Sequence, residues 1–312
     1  MKENRVELNR LLMEGENLYY DELISRKQDL KFAVLEEKMK EVLHISSLDQ
    51  DILRTIGVLD PDGKYNNAGA LLADANQFSG IDCARFGETT DIILDRETFD
   101  RRSVLSQYDD VVSLFKKYYQ YDVINGIRRE TIEKIPEKAF RETIANALVH
   151  RMWDINSHIR VAMFDDRIEV YSPGGLPGGI TEQEYLEGRI SRLRNPILGG
   201  VFFRLHIIES FGTGIRRIND AYRDSDTKPV HSFSPNSIKV TLPVIRSAHS
   251  LSKSETAVYD CLGDIGKSSS EIAEKVGYGK NKTLEVLSEL EQKGIVRKTG
   301  NGRGTKYRIR RW

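Results

Sequence analysis

Residues 252–309 read SKSETAVYDCLGDIGKSSSEIAEKVGYGKNKTLEVLSELEQKGIVRKTGNGRGTKYRI. Ser252 with Glu255 spells a capping box, in which hydroxyl and carboxylate satisfy each other's backbone N–H groups at a helix start. Val258, Leu262 and Ile265 follow at helical spacing. Ser268 with Glu271 spells a second box, opening a short helix that carries Ile272, Ala273 and Val276. Gly277-Tyr278-Gly279 supplies a turn. A third helix starts near Lys280, carries Leu284, Leu287 and Leu290, and stops at Gly294. Ile295 to Lys298 and Lys306 to Ile309 read as two strands around a glycine-rich tip, Gly300-Asn301-Gly302-Arg303-Gly304.

Helix, helix-turn-helix and basic β-hairpin is the winged-helix order. In that arrangement the N-terminal residues of the second helix of the turn motif enter the DNA major groove. Here those residues are Lys280, Asn281, Lys282 and Thr283. Asn281 suits a base edge. The lysines, with Arg297, Lys298, Arg303, Lys306 and Arg308, suit phosphates or the minor groove.

Charge supports a polyanion partner. The whole chain of 312 residues has a net charge of zero, yet residues 246–312 hold 14 Lys and Arg against 8 Asp and Glu. From Lys293 onward there are eight basic residues and no acidic one. No apolar run approaches the ~20 residues of a membrane helix, and the N-terminus lacks a signal-peptide core. The two cysteines, Cys83 and Cys261, are far apart and lack metal-type spacing. A disulfide framework is therefore not expected, and a reducing, cytoplasmic setting is.

Upstream, residues 1–54 read as a charged helical segment. Leu8, Leu11 and Leu12 form one amphipathic stretch, and Phe32, Val34, Leu35, Met39, Val42 and Leu43 another. Residues 55–245 read as an α/β region with its core at about 130–245, and 250–312 as the winged helix. Asp60-Pro61-Asp62-Gly63 is a turn, Asn67 begins a compact stretch, Thr90 to Leu94 suits a strand, and Val111 to Tyr121 a helix. Pro136 opens a helix whose apolar face is Phe140, Ile144, Ala147 and Leu148. Glu142, Asn146 and His150 share another face of it. Strands Ile159 to Phe164 and Arg167 to Tyr171 meet at Asp165-Asp166, and Ser172 to Gly179 is a glycine- and proline-rich loop. Glu182 to Glu187 and Ile197 to Ser210 suit helices, the latter holding His206 in a hydrogen-bonded core role. Another helix begins at Ile215, and Ile238 to Leu242 is a last strand.

Glu142-x-x-x-Asn146 on a helix, Gly174-Gly175 after a strand, and Gly212-Thr213-Gly214 before a helix resemble the nucleotide-binding boxes of the GHKL ATPases, the group of gyrase B and the histidine kinases. The segments Glu142 to Trp153, Phe164 to Pro177, Arg194 to Pro196 and Gly212 to Ile218 are similar to a divergent branch of transcriptional regulators, some labelled ATP-dependent DNA helicase. The resemblance runs from near Asn4 to about Pro243 and includes Asn66 to Gly69 and Ala84 to Phe86. Full-length members usually begin with an AlbA-like domain, shared with Schlafen proteins, that would end just before this chain starts.

The resemblance implies that Glu142 positions a water, that Asn146 holds Mg²⁺, and that Gly174, Gly175, Arg194, Gly212, Thr213 and Gly214 meet the nucleotide of an ATP cofactor. Arg216 and Arg217 would add phosphate contacts. Ser172 stands where the group has its adenine-reading Asp, and Leu176 where it has its second glycine. There is no G-x-x-x-x-G-K-[ST] loop, so helicase activity has no motif behind it.

The expectation is an α+β protein: a GHKL-like α/β sandwich followed by a winged helix-turn-helix. Its partner would be double-stranded DNA, met as a homodimer on paired half-sites, and its function regulation of transcription. A DNA-linked ATPase, or a scaffold with a vestigial nucleotide site, are the rival readings.

Overall fold

A computed structural model describes residues 15, 18–125, 128–188, 192–209, 212–245, 252–262, 266–292, 295–300 and 302–309. Leu8, Leu11, Leu12, Ser210, Phe211, Ile265, Gly294, Asn301 and the linker around 246–250 lie outside the described residues, as does the side chain of Arg303. The chain divides into two compact units, Met1–Val244 and Ile245–Trp312.

The first unit is built on a six-stranded sheet. Its strands are β1 (Ile81–Phe86), β2 (Ile93–Phe99), β5 (Ile159–Met163), β6 (Arg167–Pro173), β7 (Val230–Ser234) and β8 (Ser237–Pro243), in the order β2-β1-β5-β6-β8-β7. Only β1 and β5 run parallel, and the other pairs are antiparallel. Burial alternates along β5 and β6, the mark of a sheet covered on one face. The cover includes α4 (Val104–Tyr119) and α5 (Glu137–His150), which pack on strands, and α8 (Gly214–Ala221), which packs on α5. The mixed sheet with its helices is a GHKL-like α/β arrangement.

The apolar face of α5 lies where its spacing put it. Phe140, Ile144 and Leu148 are fully buried, each stabilising the fold by about 1.5–3 kcal/mol. Phe140 stacks on Phe115 of α4 with ring centroids 4.3 Å apart. The helices α1 (Ala33–Leu43), α2 (Gln50–Thr55) and α3 (Asn67–Leu72) belong to this unit, with Leu35 and Met39 buried. Asn66 caps α3 by accepting from Gly69 N at 3.0 Å.

Several elements differ from expectation. The strand read at Thr90 to Leu94 begins later, at Ile93, and runs to Phe99 because Arg96 and Thr98 pair with Asp82 across β1. Helix α4 starts at Val104 and not Val111, since the Ser103 hydroxyl accepts from Leu105 N. The helix read through Ser210 is shorter: α7 (Pro196–Arg204) ends where His206 takes a left-handed φ of 54°. His206 is exposed there and not in the core. A hairpin, β3 (Gln120–Asn125) with β4 (Arg128–Glu133), and strand β7 were not anticipated.

The second unit has helices α9 (Lys253–Cys261), α10 (Ser269–Val276) and α11 (Lys280–Gln292), then β9 (Val296–Thr299) paired with β10 (Lys306–Ile309). Both capping boxes are present, at Ser252/Glu255 and Ser268/Glu271. Lys267 bridges to Tyr307, adding a third short edge to the hairpin. The core joins Val258, Leu262, Ile272, Val286, Leu287, Leu290, Val296 and Tyr307. Leu284 is exposed (38%), and Thr283 is fully buried in its place. The buried stripe runs 283, 286, 287, 290, the i, i+3, i+4, i+7 pattern of one helix face.

Candidate functional site

In the first unit, α5 carries Glu142 and Asn146 on the face that meets α8. Glu142 is only 5% exposed. Its Oε2 lies 3.6 Å from Nη1 of Arg217, which also reaches Glu209 at 3.7 Å. Burial holds the Glu142 carboxyl above its ordinary range, while Arg217 and a hydrogen bond with Asn146 pull the other way. The face is therefore a packed polar contact and not a solvated one.

Gly212-Thr213-Gly214 opens α8, and Thr213 sits at its N-cap without a side-chain hydrogen bond. A Cβ on Gly214 would lie 2.7 Å from both Glu142 Oε1 and Asn146 Nδ2. An alanine there would have to displace the ends of the Glu142 and Asn146 side chains. Arg216 is exposed, one residue from Arg217.

The loop after β6 is tightly packed. Gly174 has φ +103°, and a Cβ there would meet Met152 and Arg194. A Cβ on Gly175 would meet the carbonyls of Pro235 and Ser234. Ser172 is buried, and its hydroxyl donates to the carbonyl of Ala147 at 3.2 Å, tying β6 to α5.

The Arg194-Asn195-Pro196 triplet has a local explanation. Arg194 Nη1 donates to His150 O at 3.2 Å, and Asn195 Nδ2 donates to Val149 O at 2.7 Å and Arg151 O at 3.0 Å. Three carbonyls at the end of α5, which have no partner inside the helix, are satisfied this way. Pro196 then starts α7.

A cavity of about 30 Å³ lies beside Asn146, between α5, α8 and the sheet, lined among others by His150, Ser172, Tyr185 and His231. That space holds about one water. His150 is half-buried, and desolvation, then Arg194, pushes its pKa down to about 4. Asn146 and Glu142, expected to meet Mg²⁺ and water, are brought together, but among the described residues the space beside them is far smaller than a nucleotide. Among the described residues, the closeness of α8 to α5 leaves no room for ATP beside Asn146.

In the second unit, Lys280, Asn281 and Lys282 are exposed at the start of α11, with Lys282 Nζ 4.6 Å from the Tyr278 ring centroid. Thr283 departs from its expected DNA-facing place. Its hydroxyl donates to Gly279 O at 3.1 Å, so it braces the turn inside the core. On the hairpin, Arg297 lies directly opposite Arg308, and Thr299 opposite Lys306. Alternation puts Arg297, Thr299, Lys306 and Arg308 on one face, and Tyr307 on the buried one. Like charges directly opposed in a sheet are destabilising, so this face is built at a cost. Lys298, opposite Tyr307, is exposed on the other face of the hairpin.

The six-stranded mixed sheet and its helical cover make a GHKL-like α/β fold. Residues 156–242 match the family model described as "Putative ATP-dependent DNA helicase recG C-terminal". The fold is also similar to the crystal structure of the DIP2311 protein from Corynebacterium diphtheriae. That match has a TM-score of 0.66 at 21% identity and covers 94% of this chain and 64% of that one. The chain thus spans less than two thirds of that relative's length. No curated protein matches the chain. Among the described residues, no helix is long and apolar enough to cross a membrane.

Proposed function

We propose that this chain is a DNA-binding regulator of transcription. Residues 252–309 form its winged helix, and the GHKL-like unit is the domain through which binding is regulated. The observation that carries the reading is the hairpin face of Arg297, Arg308 and Lys306, on which Arg297 stands directly opposite Arg308. A polyanion relieves that repulsion, and duplex DNA presents phosphates at the needed density. The exposed start of α11, with Lys280, Asn281 and Lys282, supplies the groove-entering end. Two copies on paired half-sites and a cytoplasmic setting belong to the same proposal, and both cysteines are free and buried.

Electrophoretic mobility shift on random-sequence duplex tests it. The native chain retards the duplex, and Lys280→Ala with Lys282→Ala weakens binding across all sequences. Equal affinity in that variant would contradict the proposal.

A DNA-linked ATPase is the second reading, favoured by the meeting of Glu142 and Asn146 with Gly214. It requires α8 to withdraw from α5 before a nucleotide enters.

A further inference from the structure

Beyond Arg194 from the Glu142 site, the first unit contains a larger cavity of about 120 Å³. Its wall takes Tyr20 from the short turn Tyr20–Glu22, Arg151 and Trp153 from the segment after α5, and Arg192, Leu193 and Arg194 from the stretch before α7. The contact around Glu142 does not use it.

The wall has two chemistries. One side is aromatic: Trp153 is 4% exposed, and its ring stands edge-on to Phe78, which in turn meets Tyr20. The other is cationic, with three guanidinium groups against the single carboxylate of Asp154. The three arginines are differently committed. Arg151 is 1% exposed, lies 4.1 Å over the Trp153 ring, and donates to the carbonyls of Ser79, Ile155 and Ser157. Its Nε is buried with no hydrogen-bond partner among the described residues. Arg194 donates to His150 O. Arg192 is exposed and has no ion-pair partner among the described residues.

Size narrows the ligand. An apolar cavity of roughly 150 Å³ takes a benzene ring. One ring therefore suits this partly open space, whereas a nucleotide is far too large. Guanidinium favours a carboxylate, through paired charge-assisted hydrogen bonds.

We propose that the cavity between Tyr20, Trp153 and Arg192 binds a small single-ring aromatic carboxylate. The ring lies against Trp153 and Tyr20, and the carboxylate meets Arg192 at the mouth. This site is separate from the Glu142 contact and does not depend on the DNA-binding reading.

Intrinsic fluorescence tests it. The chain has two tryptophans, so Trp312→Phe leaves Trp153 as the sole reporter in the full chain. Benzoate is titrated, with benzyl alcohol and inorganic phosphate as comparison probes. The expected result is a saturable change with benzoate and none with benzyl alcohol or phosphate. Arg192→Gln should bind benzoate about tenfold more weakly, with an unchanged melting curve, as the loss of one charge-assisted hydrogen bond implies. A benzoate titration that never saturates overturns the proposal. Equal binding of benzyl alcohol or phosphate overturns the claim of ring plus charge. Undiminished affinity in Arg192→Gln overturns the assigned anchor.

Discussion

Asp21 is a carboxyl that accepts from the backbone N–H groups of Ile197 and Leu198 at 2.9 and 3.0 Å, yet is fully buried. Burial outweighs those hydrogen bonds and pushes its pKa up to about 7. A raised folded-state pKa means that stability is full below the unfolded value of about 4 and is lost as pH rises through 7. Asp21→Asn removes that slope. Chemical denaturation at pH 5 and pH 8 should show the variant gaining roughly 2–4 kcal/mol on the native chain over that interval. Parallel behaviour of the two proteins would contradict the assignment. Gly214 offers a second test at this scale. Gly214→Ala should cost about 1–3 kcal/mol by overpacking against Glu142 and Asn146. Glu142→Ala in the same chain should recover part of that loss, and strict additivity in the melts would show that the two residues do not press on each other. The residue scale is also where the sequence was least legible. Glu142 and Asn146 could be placed on one face from spacing alone. The capping of α5 by Arg194 and Asn195 could not, because donor and acceptor are 44 to 46 residues apart.

Among elements, α11 shows how far periodicity reaches. Its start and most of its core are legible, but apolar type points to Leu284 where Thr283 is the buried position. Apolar type and helix phase disagreed by one residue, and phase won. Thr283→Lys should therefore cost well over 2 kcal/mol by burying a charge, while Leu284→Lys should cost less than about 0.5 kcal/mol. Thermal melts of the two variants decide it, and comparable losses would contradict the helix phase. The β3–β4 hairpin escaped the sequence reading for a related reason. Tyr121 and Ile124 are exposed at 49% and 75%, so no buried face imposes a pattern on it. Helix α8 bears on nucleotide binding. With α8 seated on α5, calorimetric titration with millimolar Mg-ATP should give no saturable heat. Saturable binding lost in Asn146→Ala would show that α8 withdraws in solution.

For the whole molecule, the legible parts were those with local grammar. Both capping boxes, the α5 face and the β5–β6 hairpin followed from residues close in sequence. The strand order β2-β1-β5-β6-β8-β7 did not, since it depends on pairings between distant segments. The charge asymmetry that pointed to a polyanion acquires a geometry in the hairpin, where Arg297 and Arg308 stand opposed. The most direct test of the DNA-binding claim is the salt dependence of duplex affinity, measured by fluorescence anisotropy for the native chain and for Arg297→Gln with Arg308→Gln. A DNA-facing hairpin predicts a steep linear fall of log affinity with log salt for the native chain. The double variant should show a slope shallower by roughly 2, about 0.9 for each phosphate that is no longer neutralised. An identical slope in the two proteins would contradict it.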